Sequence, residues 1–239
     1  MTATPSRTFE EARDWARLGT ALLIGAADAD AAVLDAPSLL PGWTRGHVVA
    51  HVAANADALG NLVHWAATGE KTPMYASPEE RAEGIARGAV LSAAELTAWL
   101  RESAAKLEAA TAALDAGAWA AEVVTAQGRT VPATELPWMR SREVCVHAVD
   151  LGRGVSFADL PDRFLAALCD DVAARRAAAP GPAAVLVPTD AEVRWELPGT
   201  GDPVEVTGPL HELTAYLTGR PAWPTTRYGA PVPELGPWL

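Results

Sequence analysis

The chain of 239 residues carries 30 acidic against 19 basic side chains, a net charge of −11. That balance argues against sequence-independent binding to nucleic acid, where phosphate neutralisation dominates affinity, and against docking on anionic membranes. Hydrophobic residues make up 49% of the chain, ample for a core in one large domain or two small ones.

In chain order, Pro5 to Asp28 reads as a first helix with Phe9, Trp15, Leu18, Leu22 and Ile24 on one face. Asp28 to Pro41 is a polar, proline-marked connection. A second helix runs from about Arg45 to about Thr68, with Thr44 placed as N-cap and Gly69 as the stop. Glu70 to Ser77 reads as a loop, and Pro78 to Gly88 as a short helix thin in large apolar groups. Ser92 to Leu114 is a stronger helix with Leu96, Trp99, Leu100 and Leu107 facing inward. Asp115 to Thr130 is irregular, with Glu122 to Thr125 briefly extended. Thr130 or Thr134 then caps a last long helix near Pro137, which Gly152 and Gly154 end.

After Gly154 the pattern changes. A helix from Asp162 to Ala179 stops at the turn around Gly181, and three short strands follow in AAVLVP, AEVRWEL and PVEVTG. A helix over Leu210 to Leu217 and a proline-rich tail close the chain. The expected organisation is an α-helical four-helix bundle over residues 1–157, followed by a small α+β domain over 158–239.

The chain shows no leader pattern and no apolar run near the roughly 18 residues of a membrane span. Cys145 and Cys169 are its two cysteines, which suit a reducing cytoplasm better than a disulfide framework. The expected location is therefore the cytoplasm.

Chemistry concentrates in Met139 to Gly154. Glu143 and His147 stand four apart, which stacks a carboxylate and an imidazole on one helix face. Cys145 lies about 200° around the helix from Glu143, away from that face. Two ligands fall short of the three that a catalytic zinc takes from protein, leaving one position open. The third comes from LPGWTRGHVVAHVAANAD, where His47 and His51 repeat the same spacing. His51, flanked by Val48, Val49, Val52 and Ala53, is preferred, because an imidazole deep in an apolar bundle needs a partner. His47 reads as a helix-start residue or a second-shell donor. Asp150, three residues beyond His147, either orients a metal-bound imidazole or pairs with Arg142 or Arg153. Trp43 and Trp138 line a cleft or fill core. His64 and His211 read as surface or packing residues, and Cys145 as a small buried apolar group.

LPGWTRGHVVAHVAANAD, the TPMYAS segment at 72–77, REVCVHAVDLGRG and the YLTGRPAW ending together resemble the mycothiol-dependent maleylpyruvate isomerase family over nearly the whole chain. The resemblance implies a DinB-like four-helix bundle followed by a small α+β domain similar to a sterol-carrier module. It implies His51, Glu143 and His147 as zinc ligands and Arg220, in the TGRP motif, as an arginine needed for activity. It also implies one divalent zinc ion and mycothiol as cofactors. The implied partners are a small dicarboxylate keto acid and mycothiol, with no nucleic acid and no membrane, and the expected state is a monomer.

The implied reaction makes chemical sense with those parts. Maleylpyruvate is a dianion whose cis double bond is conjugated to a ketone. A thiolate adding at the alkene carbon β to the ketone makes that bond single and leaves an enolate. Rotation and expulsion of the thiolate then give fumarylpyruvate, a step of gentisate breakdown. A zinc with an open position deprotonates a coordinated thiol, and Arg220 is suited to a bidentate contact with a carboxylate or the enolate, in a cleft between bundle and second domain. Two alternatives stay open: a mycothiol S-transferase acting on another electrophile, and a non-enzymatic metal-sensing or anti-sigma-type module. A His2Glu site also accepts several divalent metals.

Overall fold

The computed structural model describes residues 7–226, 229–236 and 238. The chain divides at Val155 and Ser156 into two compact units.

The first unit, Phe9–Val155, is built on helices α1 (Phe9–Ala27), α2 (Ala31–Leu34), α3 (Arg45–Thr68), α4 (Pro78–Ala89), α5 (Ala93–Ala112) and α6 (Ala116–Ala120). A hairpin of β1 (Glu122–Val124) and β2 (Thr130–Pro132) leads into α7 (Leu136–Asp150). The four long helices α1, α3, α5 and α7 form the bundle: α1 packs along α7, α5 along α3, and α4 lies against α3. A core cluster of Leu59, Leu62, Val63, Leu107 and Leu136 meets Val123 and Val131 of the hairpin.

Local signals set most helix ends. Thr44 caps α3 by accepting from the His47 N–H, and Gly69, at φ 78°, closes it in the left-handed region that favours glycine. Ser77 caps α4, and Ser92 caps α5 in a reciprocal box with Glu95.

Several expectations need correction. The buried face of α1 is Ala12, Trp15, Gly19, Leu23 and Ala26, whereas Leu18 is exposed and Leu22 and Ile24 are half-buried. The reason is close approach: a methyl on Gly19 would lie 2.5 Å from Cys145 Sγ, so α1 seats its small residues on α7. The expected start of α1 at Pro5 lies outside the described residues. Neither Thr130 nor Thr134 caps α7; Thr130 is strand, Thr134 sits in a 3-10 turn, and Glu135 precedes the helix without a side-chain cap. The connection after Asp28 holds the one-turn α2, capped by Asp30, and the irregular segment after Asp115 holds α6.

The second unit, beginning at Ser156, contains α8 (Asp162–Ala177), β3 (Pro182–Pro188), β4 (Trp195–Leu197), β5 (Thr200–Gly208), α9 (Leu210–Leu217) and β6 (Thr225–Thr226). Its sheet has the order β4-β3-β5-β6, with β3 parallel to β5 and the other pairings antiparallel. The strand read over Ala191–Leu197 shrinks to its last three residues, which pair with Ala184–Leu186. The strand in PVEVTG starts earlier, at Thr200, and β6 emerges from the proline-rich tail by pairing with Val206 and Thr207. α8 and α9 pack together, and Arg176 donates twice to the Leu217 carbonyl at the end of α9.

Candidate metal centre

Two helices of the first unit bring the site together. His51 lies in the second turn of α3, and Glu143 and His147 lie one turn apart on α7. Their ligand atoms all fall within 4.8 Å of one another. His51 Nε2 is 2.9 Å from Glu143 Oε2, and His147 Nε2 is 3.5 Å from the same oxygen. The two imidazoles meet edge to face with centroids 4.8 Å apart.

Asp150, fully buried at the end of α7, accepts from His147 Nδ1 at 2.8 Å. That bond turns the Nε2 of His147 toward Glu143 and fixes its tautomer, the usual support of a metal-bound histidine. Burial works against ionisation of His147, yet hydrogen bonds to Asp150 and Glu143 outweigh it and push its pKa up to about 9. For Glu143, burial again opposes the charge, and the bonds from His147 and His51 override it, holding the carboxyl well below its ordinary range. Burial pushes His51 down, toward the neutral form that a metal requires.

A residue that sequence reasoning did not pick out completes the surroundings. Arg81, on α4, places Nη2 3.3 Å from His51 Nδ1 and its guanidinium 5.9 Å over the Tyr75 ring. Its sequence signal was slight, one of two arginines in a polar helix. What seats α4 so near is Gly88, where an added methyl would lie 2.7 Å from Trp99 and 2.8 Å from Ala50. Trp43 presents its ring to His51 at 5.7 Å.

The remaining sequence candidates fall elsewhere. His47 is engaged in the α3 cap, its Nδ1 2.7 Å from Thr44 Oγ1. Trp138 is core, edge-on to Trp15 at 6.1 Å. His64 meets Glu70 in an exposed pair, and His211 lies 3.9 Å from Glu212. Cys145 and Cys169 are free and buried, and burial pushes each thiol up to about 12. Arg220 belongs to the second unit, just beyond α9, where it donates to the Thr218 carbonyl and stands 5.7 Å over the Trp238 ring.

The donor set fits a divalent ion. Donors about 2.0–2.2 Å from a tetrahedral ion stand about 3.3–3.6 Å apart; the 3.5 Å separation of His147 Nε2 and Glu143 Oε2 already fits, and the 2.9 Å one of His51 Nε2 and Glu143 Oε2 needs to open slightly. The Asp150–His147 bond is the arrangement that such an ion needs behind its ligand.

Two histidines and a carboxylate on facing helices are the kind of side chains from which helical bundles build metal sites, so fold and site place the chain among helical bundles with a candidate metal site. Residues 15–152 match the family model described as the mycothiol maleylpyruvate isomerase N-terminal domain. The whole chain is similar to the crystal structure of the mycothiol-dependent maleylpyruvate isomerase, with 43% identity, all of both chains covered and a TM-score of 0.92. A mutant of that enzyme with a histidine changed to alanine matches at 42% identity, again over all of both chains, with a TM-score of 0.92. A search of curated proteins returns no match. The chain belongs to the mycothiol-dependent maleylpyruvate isomerase family.

Proposed function

We propose that this protein is a zinc- and mycothiol-dependent isomerase that converts maleylpyruvate to fumarylpyruvate. The observation that carries the reading is the convergence of His51, Glu143 and His147 with Asp150 behind His147; the full-length likeness to a mycothiol-dependent maleylpyruvate isomerase supports it. A divalent ion held by those three residues supplies a Lewis acid that brings a thiol to its thiolate near neutral pH.

The chain's own groups account for the rest. Cys145 and Cys169 are buried, with pKa values raised to about 12, so neither offers a thiolate and the nucleophile must come from outside. Asp150 accepts a hydrogen bond from His147 Nδ1–H and keeps Nε2 facing the site. Arg81 places positive charge beside His51 on an acidic protein. As a donor, it bonds His51 Nδ1 only while that nitrogen is unprotonated. When Nε2 is engaged as a ligand, Nδ1 carries the proton, and Arg81 is free to take a substrate carboxylate. For Arg220 we retain the role of carboxylate or enolate contact, tested by Arg220→Lys: activity should be largely lost with metal content unchanged. Two free thiols also accord with a cytoplasmic enzyme.

The test is conversion of maleylpyruvate by purified protein, with and without mycothiol, before and after chelation. Thiol-dependent isomerisation, abolished by chelation and restored by zinc, is the expected result. A fully metallated protein that leaves maleylpyruvate unchanged in the presence of mycothiol overturns the reading.

A further inference from the structure

The TPMYAS segment at 72–77 stands out in the sequence, yet none of its residues is among the three that converge at the metal centre. It is a loop pinned on both sides of Tyr75. Thr72 Oγ1 donates to the Asn61 carbonyl at 2.7 Å, and Asn61 Nδ2 donates back to the Pro73 and Met74 carbonyls at 3.2 and 3.4 Å, which ties the loop to α3. Met74 is buried in the core cluster, and its Sδ accepts from the Ala126 N–H of the β1–β2 connection. Beyond Tyr75, the Ala76 N–H donates to Glu80 Oε2 at 2.8 Å, and Ser77 caps α4. Tyr75 itself is half-buried and packed against the core cluster. With both neighbours held, its ring is a fixed surface.

That surface carries Arg81. The guanidinium stands 5.9 Å over the Tyr75 ring, within the reach of a cation–π contact, and its Nη2 is 3.3 Å from His51 Nδ1. Burial raises the Tyr75 phenol pKa; Arg81 opposes the rise and Glu143 adds to it, so the ring lies in the field of both. A π-face and an imidazole driven toward neutrality leave the charge of Arg81 uncancelled. Once His51 Nε2 ligates an ion, Nδ1 keeps its proton and no longer accepts from Arg81. The Tyr75 ring is then the contact that remains of the two, and it keeps the guanidinium beside the site with N–H groups to give to an anion.

We propose that Tyr75 is a positioning residue, whose ring holds Arg81 beside the metal centre to receive a carboxylate of an anionic substrate. The inference rests on the proposed reading of Arg81 as a carboxylate contact.

The test is calorimetric titration of the zinc-loaded full chain with maleate, a cis dicarboxylate, and it requires no turnover. Maleate should bind; Tyr75→Leu should weaken it at least about fivefold with zinc uptake unchanged, and Tyr75→Phe should stay within about twofold of the unaltered chain. In an Arg81→Gln background, Tyr75→Leu should change affinity by less than about twofold, because the ring then has nothing to position; a merely structural role keeps the full loss. Tyr75→Met replaces Tyr75→Leu if the latter misfolds by circular dichroism. No maleate binding by the unaltered chain, full affinity in folded Tyr75→Leu, equal losses in Tyr75→Phe and Tyr75→Leu, or an undiminished loss without Arg81 would each overturn the proposal. A chain that isomerises maleylpyruvate and gives one of these results fails on Tyr75 alone. One that gives the expected pattern of affinities but no isomerisation loses the isomerase reading alone.

Discussion

Replacing Gly19 by alanine tests whether close approach of α1 and α7 dictates which face of α1 is buried. On an open helix face this change is stabilising, by about 1 kcal/mol. At Gly19 the new methyl would lie 2.5 Å from Cys145 Sγ, 2.6 Å from Val144 Cγ2 and 2.9 Å from the Cys145 backbone nitrogen. The last neighbour is main chain, so no side-chain rotation relieves it, and overpacking of this kind costs about 1–3 kcal/mol. The expected net is a loss of up to about 2 kcal/mol. Gly25→Ala on the same helix is the control, because nothing lies within 4 Å of its added methyl; it should gain a few tenths to about 1 kcal/mol. Urea unfolding followed by far-ultraviolet circular dichroism reads both. Since α7 carries Glu143 and His147, Gly19→Ala should also weaken zinc binding, while Gly25→Ala should not. If Gly19→Ala is as stable as Gly25→Ala, the packing argument is refuted.

Zinc uptake should release the proton that His147 holds in the metal-free protein. With its pKa raised to about 9, affinity should climb about tenfold per pH unit as pH rises toward 9 and level off above it. Competition against a chelator checks this, and a flat profile over that range would show that His147 is not protonated there. The same proton stabilises the metal-free fold. Because the folded pKa is raised, that contribution is complete below about 6.5 and is lost as pH rises through about 9, which thermal melts of the metal-free protein should show. Asp150→Asn should lower zinc affinity about 10–100-fold when measured above pH 9, where proton competition is gone; unchanged affinity there removes Asp150 from the site's support. Arg81→Gln should reduce turnover at least about tenfold with zinc content intact, and full activity in that variant would free Arg81 from any role in substrate handling. Cys145→Ala and Cys169→Ala should each keep thiol-dependent activity, and loss of it with the fold preserved would contradict an external nucleophile.

Much of the site was legible because its signals are local. A Glu and a His four apart on a helix must share a face whatever the helix packs against, so Glu143 and His147 follow from spacing and helix geometry alone. The span of α3 is equally local: Thr44 satisfies an orphan N–H at its start, and Gly69 takes a left-handed conformation at its end. Arg81 was not legible, because its proximity to His51 depends on how near α4 comes to α3, and Gly88 sets that distance through contacts with Trp99 and Ala50, from α5 and α3. His47 had the same spacing to His51 as Glu143 to His147, yet its ring is engaged in the cap at Thr44.

The sequence by itself determined the long helices and both ends of α3, the change from bundle to mixed sheet after Gly154, and the residue types of the candidate metal centre. These rest on interactions spanning one or two turns, which the order of residues specifies directly. Only the tertiary structure decided which stripe of α1 is buried and that two threonines of the tail pair with β5 as β6. Each of these is settled by residues far apart in the chain, where the distance between backbones, set by small side chains such as Gly19 and Gly88, outweighs local hydrophobic pattern.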